Sequence, residues 1–289
     1  MAGGLDHLVI VAQDLDALAD FYRRLGFQVG ARNRHDWGTL NNIVQFDGCF
    51  LELLTTEAGF QRPAADAPLA SFANVIDDYM SQREGLAMMV LEGFDATADH
   101  KAFQAAGIGV DAPFGFARQG KTPDGAPVEV AFSLAFARSA DIRDAGFFVC
   151  QQHAPELFWN PAFQVHENGA TGVKRVVFVA GEPKAHHAFF ERYTGVAGED
   201  LADGGVGFAL PRSRVEVLTP EAAGAAFGAD ALPAGLDGPQ FAAVEFVAGS
   251  TREVAALLAR NGVRFTEQEG RPVVAARDAF GLTIGFIGG

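Results

Sequence analysis

Histidine is scarce in this chain, at seven of 289 residues, and His7 stands inside the apolar run Leu5-Asp6-His7-Leu8-Val9-Ile10-Val11. An imidazole there is either a core histidine satisfied by a backbone carbonyl, or a metal ligand or proton carrier. Residues His35-Asp36-Trp37-Gly38-Thr39-Leu40-Asn41-Asn42 are polar and aromatic together. Trp37 can stack on a ligand while His35, Thr39 and Asn41 orient it by hydrogen bonds, the mix found in small-molecule sites; the alternative is a turn held by Asn and Thr side chains. A second dense cluster runs from Phe148 to Trp159. Its strand places Gln151 and His153 on one face by the two-residue period, and with Glu156 they share a cavity only if that strand faces His7. His166 to Ala170 reads as a turn with a structural cap. His186 and His187 are adjacent, about 100° apart around a helix, so they cannot share one ion; they read as solvated surface, as does His100.

These residues must be positioned by a pattern the chain carries four times: an apolar strand, an amphipathic helix, then Gly and an apolar residue that start a new strand. The first copy begins at Leu5 and closes at Leu25-Gly26-Phe27. The others run from Leu86 to Gly107-Ile108, Val173 to Gly195-Val196, and Phe241 to Gly262-Val263. A Gly at each close predicts a left-handed residue that ends the helix. Leu15, Leu18, Phe21, Tyr22 and Leu25 make one apolar stripe in the first helix, and Pro183 marks the first turn of the third.

Three short strands are expected after the first helix, at 28–31, 42–46 and 49–54, the last two joined by the hairpin signal Asp47-Gly48. The unit reads β-α-β-β-β. In the third unit Arg214-Val215-Glu216-Val217-Leu218-Thr219 aligns with Phe50-Leu51-Glu52-Leu53-Leu54-Thr55, so Glu216 and Glu52 coincide. Glu57 to Glu84, with an Ala/Pro-rich stretch and a helix over 69–80, and the Ala/Gly-rich Glu221 to Pro239 fall outside the repeat.

Composition sets bounds on function. With 49% hydrophobic and 20% charged residues the chain is that of an ordinary globular protein. A net charge of −14 and a pI near 4.8 argue against sequence-independent affinity for nucleic acid or anionic membrane, both of which need basic surface. The expected partner is a small molecule. No apolar run reaches the ~20 residues that span a bilayer, and Met1-Ala2-Gly3-Gly4 lacks the blocks of an export signal, so a cytoplasmic location is expected. Cys49 and Cys150, each within an apolar run, suit buried reduced thiols. A nucleophile elbow, a phosphate loop and a dinucleotide fingerprint are absent from the sequence.

A β-α-β-β-β unit repeated in pairs, opening with L-D-H-L-V-I and closing with F-L-E-L-L, resembles the vicinal oxygen chelate superfamily of glyoxalases, bleomycin-resistance proteins and extradiol dioxygenases. Arg34 to Asn41 ahead of Phe50 to Leu54 resembles a glyoxalase-like subgroup. The resemblance is tight over residues 5–55 and architectural beyond. It implies an α+β fold of four βαβββ units paired into two half-open mixed-sheet barrels, with domains at 1–155 and 172–289 and a linker at 156–171.

The resemblance further implies a divalent metal, Fe, Mn, Ni, Co or Zn, on the first and last strands of each unit. His7 and Glu52 match those positions, Met88 stands where a second His, Gln or Glu is needed, and Gln151 or His153 is then the expected third ligand. The function implied is metal-dependent isomerase or lyase chemistry on a hydroxy-carbonyl compound, with Glu52 or His153 carrying the proton. The rival is a metal-free small-molecule binding or resistance protein walled by Trp37, Phe50, Phe148, Trp159 and Met88. A ring-cleaving dioxygenase ranks third, because Arg175 and Ala243 occupy the His positions of the second half. There Arg175 and Glu216 are expected to form an ion pair in place of a metal. Four units in one chain fit a monomer or a homodimer.

Overall fold

Two curled eight-stranded mixed sheets, each built from two repeats, make up the chain. The computed structural model describes residues 3–64, 67, 69–121 and 127–289; Met1 and Ala2, and Ala65, Asp66 and Pro68 of the Ala/Pro-rich stretch, lie outside them. The first unit comprises β1 (Leu5–Val11), α1 (Leu15–Arg24), β2 (Asn33–Arg34), β3 (Thr39–Phe46) and β4 (Cys49–Thr56). Helix α2 (Ala70–Met80) leads to β5 (Gly85–Gly93), α3 (Ala96–Ala105), β6 (Gly109–Lys121), β7 (Pro127–Ser139) and β8 (Ile142–Gln152). After α4 (Pro155–Phe158) come β9 (Ala170–Val179), α5 (His187–Thr194), β10 (Glu199–Asp200), β11 (Val206–Ala209) and β12 (Arg214–Leu218). Helix α6 (Pro220–Phe227) precedes β13 (Gln240–Ala248), α7 (Thr251–Arg260), β14 (Thr266–Gln268), β15 (Arg271–Val274) and β16 (Thr283–Gly288). The expected strand over 28–31 is absent: the chain pairs instead through the two residues of β2.

Local chemistry explains the punctuation. Asp14, Asp95, Thr219 and Ser250 cap α1, α3, α6 and α7 by accepting from first-turn amides. Gly26, Gly107, Gly195 and Gly262 close the four repeat helices with φ of 88°, 72°, 67° and 66°, the left-handed backbone expected of them.

Strand order is β2-β3-β4-β1-β5-β8-β7-β6 in the first sheet and β10-β11-β12-β9-β13-β16-β15-β14 in the second. In each unit the first and last strands are parallel neighbours, and two units join through antiparallel first strands. In the first sheet His7 lies opposite Val90 and Val9 opposite Met88. Glu52 lies beside Val9, and Phe148 beside Val90. The two-fold that relates the units therefore equates His7 with Met88 and Glu52 with Phe148.

One face of both sheets, with α1, α3, α5 and α7, contributes to a single apolar cluster that runs through both halves of the chain. Alternate residues face the concave sides. In the first sheet that side holds Val9, Phe50, Met88 and Phe148. In the second it is filled by α6, whose Ala223 and Phe227 pack on Val177 and Ala243. Arg175 lies 2.8 Å from Glu216 and 3.0 Å from Glu245, with its guanidinium over the Phe227 ring. The ion pair expected between Arg175 and Glu216 is present, extended by Arg214 and Arg271. Among the described residues, no helix is long and apolar enough to cross a membrane, and Cys49 and Cys150 are buried free thiols.

Candidate functional site

The concave side of the first sheet holds a cavity of about 50 Å³, lined by residues that include His7, His35, Trp37, Asn41, Phe50, Glu52, Arg118 and Phe148. Strand β1 presents His7, β4 presents Phe50 and Glu52, β3 presents Asn41, β8 presents Phe148 and β6 presents Arg118. His7 and Glu52 are nearly fully buried, at 5% and 6% exposure.

Asp6 orients His7. Its Oδ2 lies 2.6 Å from His7 Nδ1, so the Nδ1–H donates to the carboxylate and the lone pair is left on Nε2. Gln152 Nε2 donates to the other Asp6 oxygen at 2.7 Å. The imidazole is clamped by stacking on Phe50, with centroids 4.3 Å apart, and by the edge of Phe148. Nε2 stands 4.0 Å from Glu52 Oε2. That is too long for a hydrogen bond, yet one hydroxyl placed between them can reach both atoms.

Glu52 Oε1 accepts from Asn41 Nδ2. Asn41 Oδ1 accepts from Asn33 Nδ2 at 3.0 Å, and Asn33 Oδ1 accepts from Arg118 NH1 at 3.4 Å. A second imidazole, His35, has Nε2 4.0 Å from Glu52 Oε1 and Nδ1 2.8 Å from the Thr39 hydroxyl. Burial holds His35 below the usual histidine range; Glu52 opposes that shift and Arg118 reinforces it. Burial likewise lowers the Arg118 pKa, with Glu52 again opposing. The Cys150 thiol in the wall is pushed well above its usual value by burial.

Several expected site residues lie elsewhere. Gln151 faces the other side of β8, where its Oε1 accepts from Ala96 N at the start of α3. His153 is exposed, with Nε2 2.8 Å from Ser133 Oγ, and does not line the cavity. Neither reaches His7 and Glu52, because the strand has turned its cavity face to Phe148 and Cys150. Met88 packs over Gly146, where a Cβ would sit 2.6 Å from its Cγ, and is buried behind the cavity wall. Thr39 serves through His35, and Trp159 packs on Phe50 and Phe158 without lining the cavity. His186 is buried near Phe178 rather than solvated. His166 accepts from Gln28 N and donates to Gln45 O, a structural role.

Asp6, Asn33, Arg118 and Gln152 belong to the site and were not singled out in the sequence. The adjacency of Asp6 to His7 was the available signal.

The donor set bears on a divalent ion. Of the four superfamily positions, His7 and Glu52 offer ligand atoms, while Met88 and Phe148 offer a thioether and a ring. Among the described residues no three His, Cys, Asp or Glu side chains are grouped so as to hold a metal. The residues present thus fall short of the four-position site, and the chemistry they support by themselves is proton transfer.

The sequence matches the glyoxalase-like domain family over residues 5–194. Among solved structures, a hypothetical protein from Staphylococcus aureus is 13% identical and superposes with a TM-score of 0.71 over 98% of both chains. A variant of 4-hydroxymandelate synthase from Streptomyces coelicolor is 14% identical, with a TM-score of 0.62 over 100% of this chain and 93% of that one. A xylose isomerase-like TIM barrel/4-hydroxyphenylpyruvate dioxygenase fusion protein is 12% identical, with a TM-score of 0.61 over 99% of this chain and 49% of that one. At such identities the likeness is one of fold. No curated protein matches the sequence.

Proposed function

Because this chain belongs to the glyoxalase-like domain family, we propose that its N-terminal half binds a small hydroxy-carbonyl compound and catalyses proton transfer on it, as an isomerase or lyase. The observation that carries this reading is the Asp6–His7 pair facing Glu52 in an apolar cavity. Asp6 fixes the tautomer and favours the imidazolium that forms when Nε2 takes a proton. The substrate hydroxyl sits between His7 Nε2 and Glu52 Oε2. That hydroxyl donates to Glu52 Oε2, whose carboxylate is held by Asn41, while Nε2 removes the proton from the carbon bearing the hydroxyl and leaves an enolate on the adjoining carbonyl. The aromatic walls exclude water and strengthen these charges.

Deuterium uptake from D2O into a panel of small hydroxy-ketones and hydroxy-aldehydes, followed by proton NMR, tests this. His7→Asn and Asp6→Asn are expected to slow exchange by about 100-fold or more, without loss of folding. Exchange that is equally fast in both variants sinks the proposal.

A second reading, a binding or resistance protein without turnover, is favoured by the apolar Met88 and Phe148 at the second unit's ligand positions. It predicts ligand binding with no exchange into any member of the panel.

A further inference from the structure

The cavity opens into an outer depression of about 640 Å³, and His35, Trp37, Phe116 and Arg118 line both. These four side chains form a neck. His35 stacks on Trp37 with centroids 4.4 Å apart, and Phe116 meets Trp37 edge-on at 4.9 Å. The inner space takes only a few heavy atoms, since each water-sized probe needs ~10–15 Å³. A larger ligand must have its reacting end inside and its body in the depression, so its middle passes the neck.

Two groups at the neck are donors without an acceptor of matching strength. Arg118 presents five N–H groups, and its hydrogen bond to Asn33 is a long one at 3.4 Å. Among the described residues no carboxylate lies within 4 Å of it, although the field of Glu52 reaches it. Trp37 Nε1 is buried and, among the described residues, has no hydrogen-bond partner. An unfilled buried donor is costly to keep. Donor-only groups call for an acceptor-only ligand, and the planar fork of a guanidinium matches a carboxylate.

We propose that Arg118 seats the carboxylate of the substrate, which makes the substrate class small carboxylates bearing the hydroxy-carbonyl group. The inference rests on the reading of the cavity as a proton-transfer site and names what it accepts. The amide relay from Arg118 through Asn33 and Asn41 to Glu52 ties the seat to the reacting end, each amide accepting on the Arg118 side and donating on the Glu52 side. The seat therefore fixes how far the reacting carbon lies from His7.

Benzoate and its neutral isostere benzamide are the probes, titrated calorimetrically against wild type, Arg118→Gln, Arg118→Lys and His7→Asn. Wild type is expected to prefer benzoate by about 10-fold or more, the weight of a charge-assisted pair. Arg118→Gln should bind the two alike, Arg118→Lys should keep part of the preference, and His7→Asn should keep all of it. Equal binding of the probes by wild type, no binding of either, or a preference that survives Arg118→Gln overturns the proposal. A preference lost only in Arg118→Gln, with no deuterium exchange into any substrate, leaves the carboxylate seat standing and removes the catalytic reading instead.

Discussion

Glu52 is the residue on which the site turns, because both imidazole Nε2 atoms face it at 4.0 Å and an amide relay ends on it. Glu52→Gln keeps the shape, and with its oxygen toward Asn41 it turns an amide N–H toward His7 Nε2, which removes the charged acceptor offered to the ligand hydroxyl. Ligand affinity should fall about 10-fold or more, as for a lost charged hydrogen bond, with the circular dichroism spectrum unchanged. Elemental analysis of the same pair of proteins checks the donor-set argument. Far less than one transition-metal ion per chain is expected in both, and a full equivalent in wild type that disappears in Glu52→Gln would refute it. His7 and Glu52 were legible in the sequence as polar residues within apolar strands, Phe50 as an aromatic wall, and the His35–Asn41 run as a mixture of polar and aromatic residues after the first helix. Asp6 was not, since strict alternation turns it away from His7. A register irregularity between Leu5 and His7 lets its carboxylate reach the ring. Arg118 was invisible for another reason: its strand belongs to a long hairpin, β6 and β7, that bears no mark of the repeat and lies over the cavity only once folded.

At the scale of elements, the same βαβββ pair has been put to two uses. The first sheet leaves its concave side open to a cavity, while in the second α6 fills that side and Arg175 takes the position of His7. Arg175, Glu216 and Glu245 are largely buried, with side-chain exposures of 17%, 12% and 3%. Removing the shared cation leaves two carboxylates with only Arg214 and Arg271 to answer them, and breaking a buried pair is expensive. Arg175→Met is therefore expected to destabilise the fold by about 3 kcal/mol, and Phe227→Ala by a similar amount, about 3–5 kcal/mol, through the cavity it opens. Neither should alter ligand binding in the first half. Urea unfolding monitored by circular dichroism checks both, and an Arg175→Met midpoint equal to wild type would mean that the network contributes nothing. The sequence alignment of Glu52 with Glu216 exposed this pairing. It could not expose Glu245, which aligns with no site residue and joins only because β13 sets it opposite Arg175.

Across the whole molecule, one apolar cluster joins both sheets, so protonation of a buried group anywhere weighs on the entire fold. His35, His166 and His186 are all held below the usual histidine value, in each case chiefly by burial. A histidine whose folded pKa lies below its unfolded value of about 6.5 binds more protons in the unfolded chain between the two values. Its contribution is fully present above that pH and lost as the pH falls through the window beneath it. The carboxylates respond at lower pH, where Glu57, lowered chiefly by its hydrogen bond from Arg34, begins to protonate. The melting temperature should accordingly hold between pH 8 and 7 and decline from about pH 6.5 downward, before carboxylate titration begins. His166→Gln, which does not titrate, should be less stable at pH 7.5 for want of the Gln45 contact but should show a shallower decline. A wild-type melting temperature that is flat or rising from pH 7 to pH 5.5 would show that these imidazoles take up protons in the folded protein as readily as in the unfolded chain.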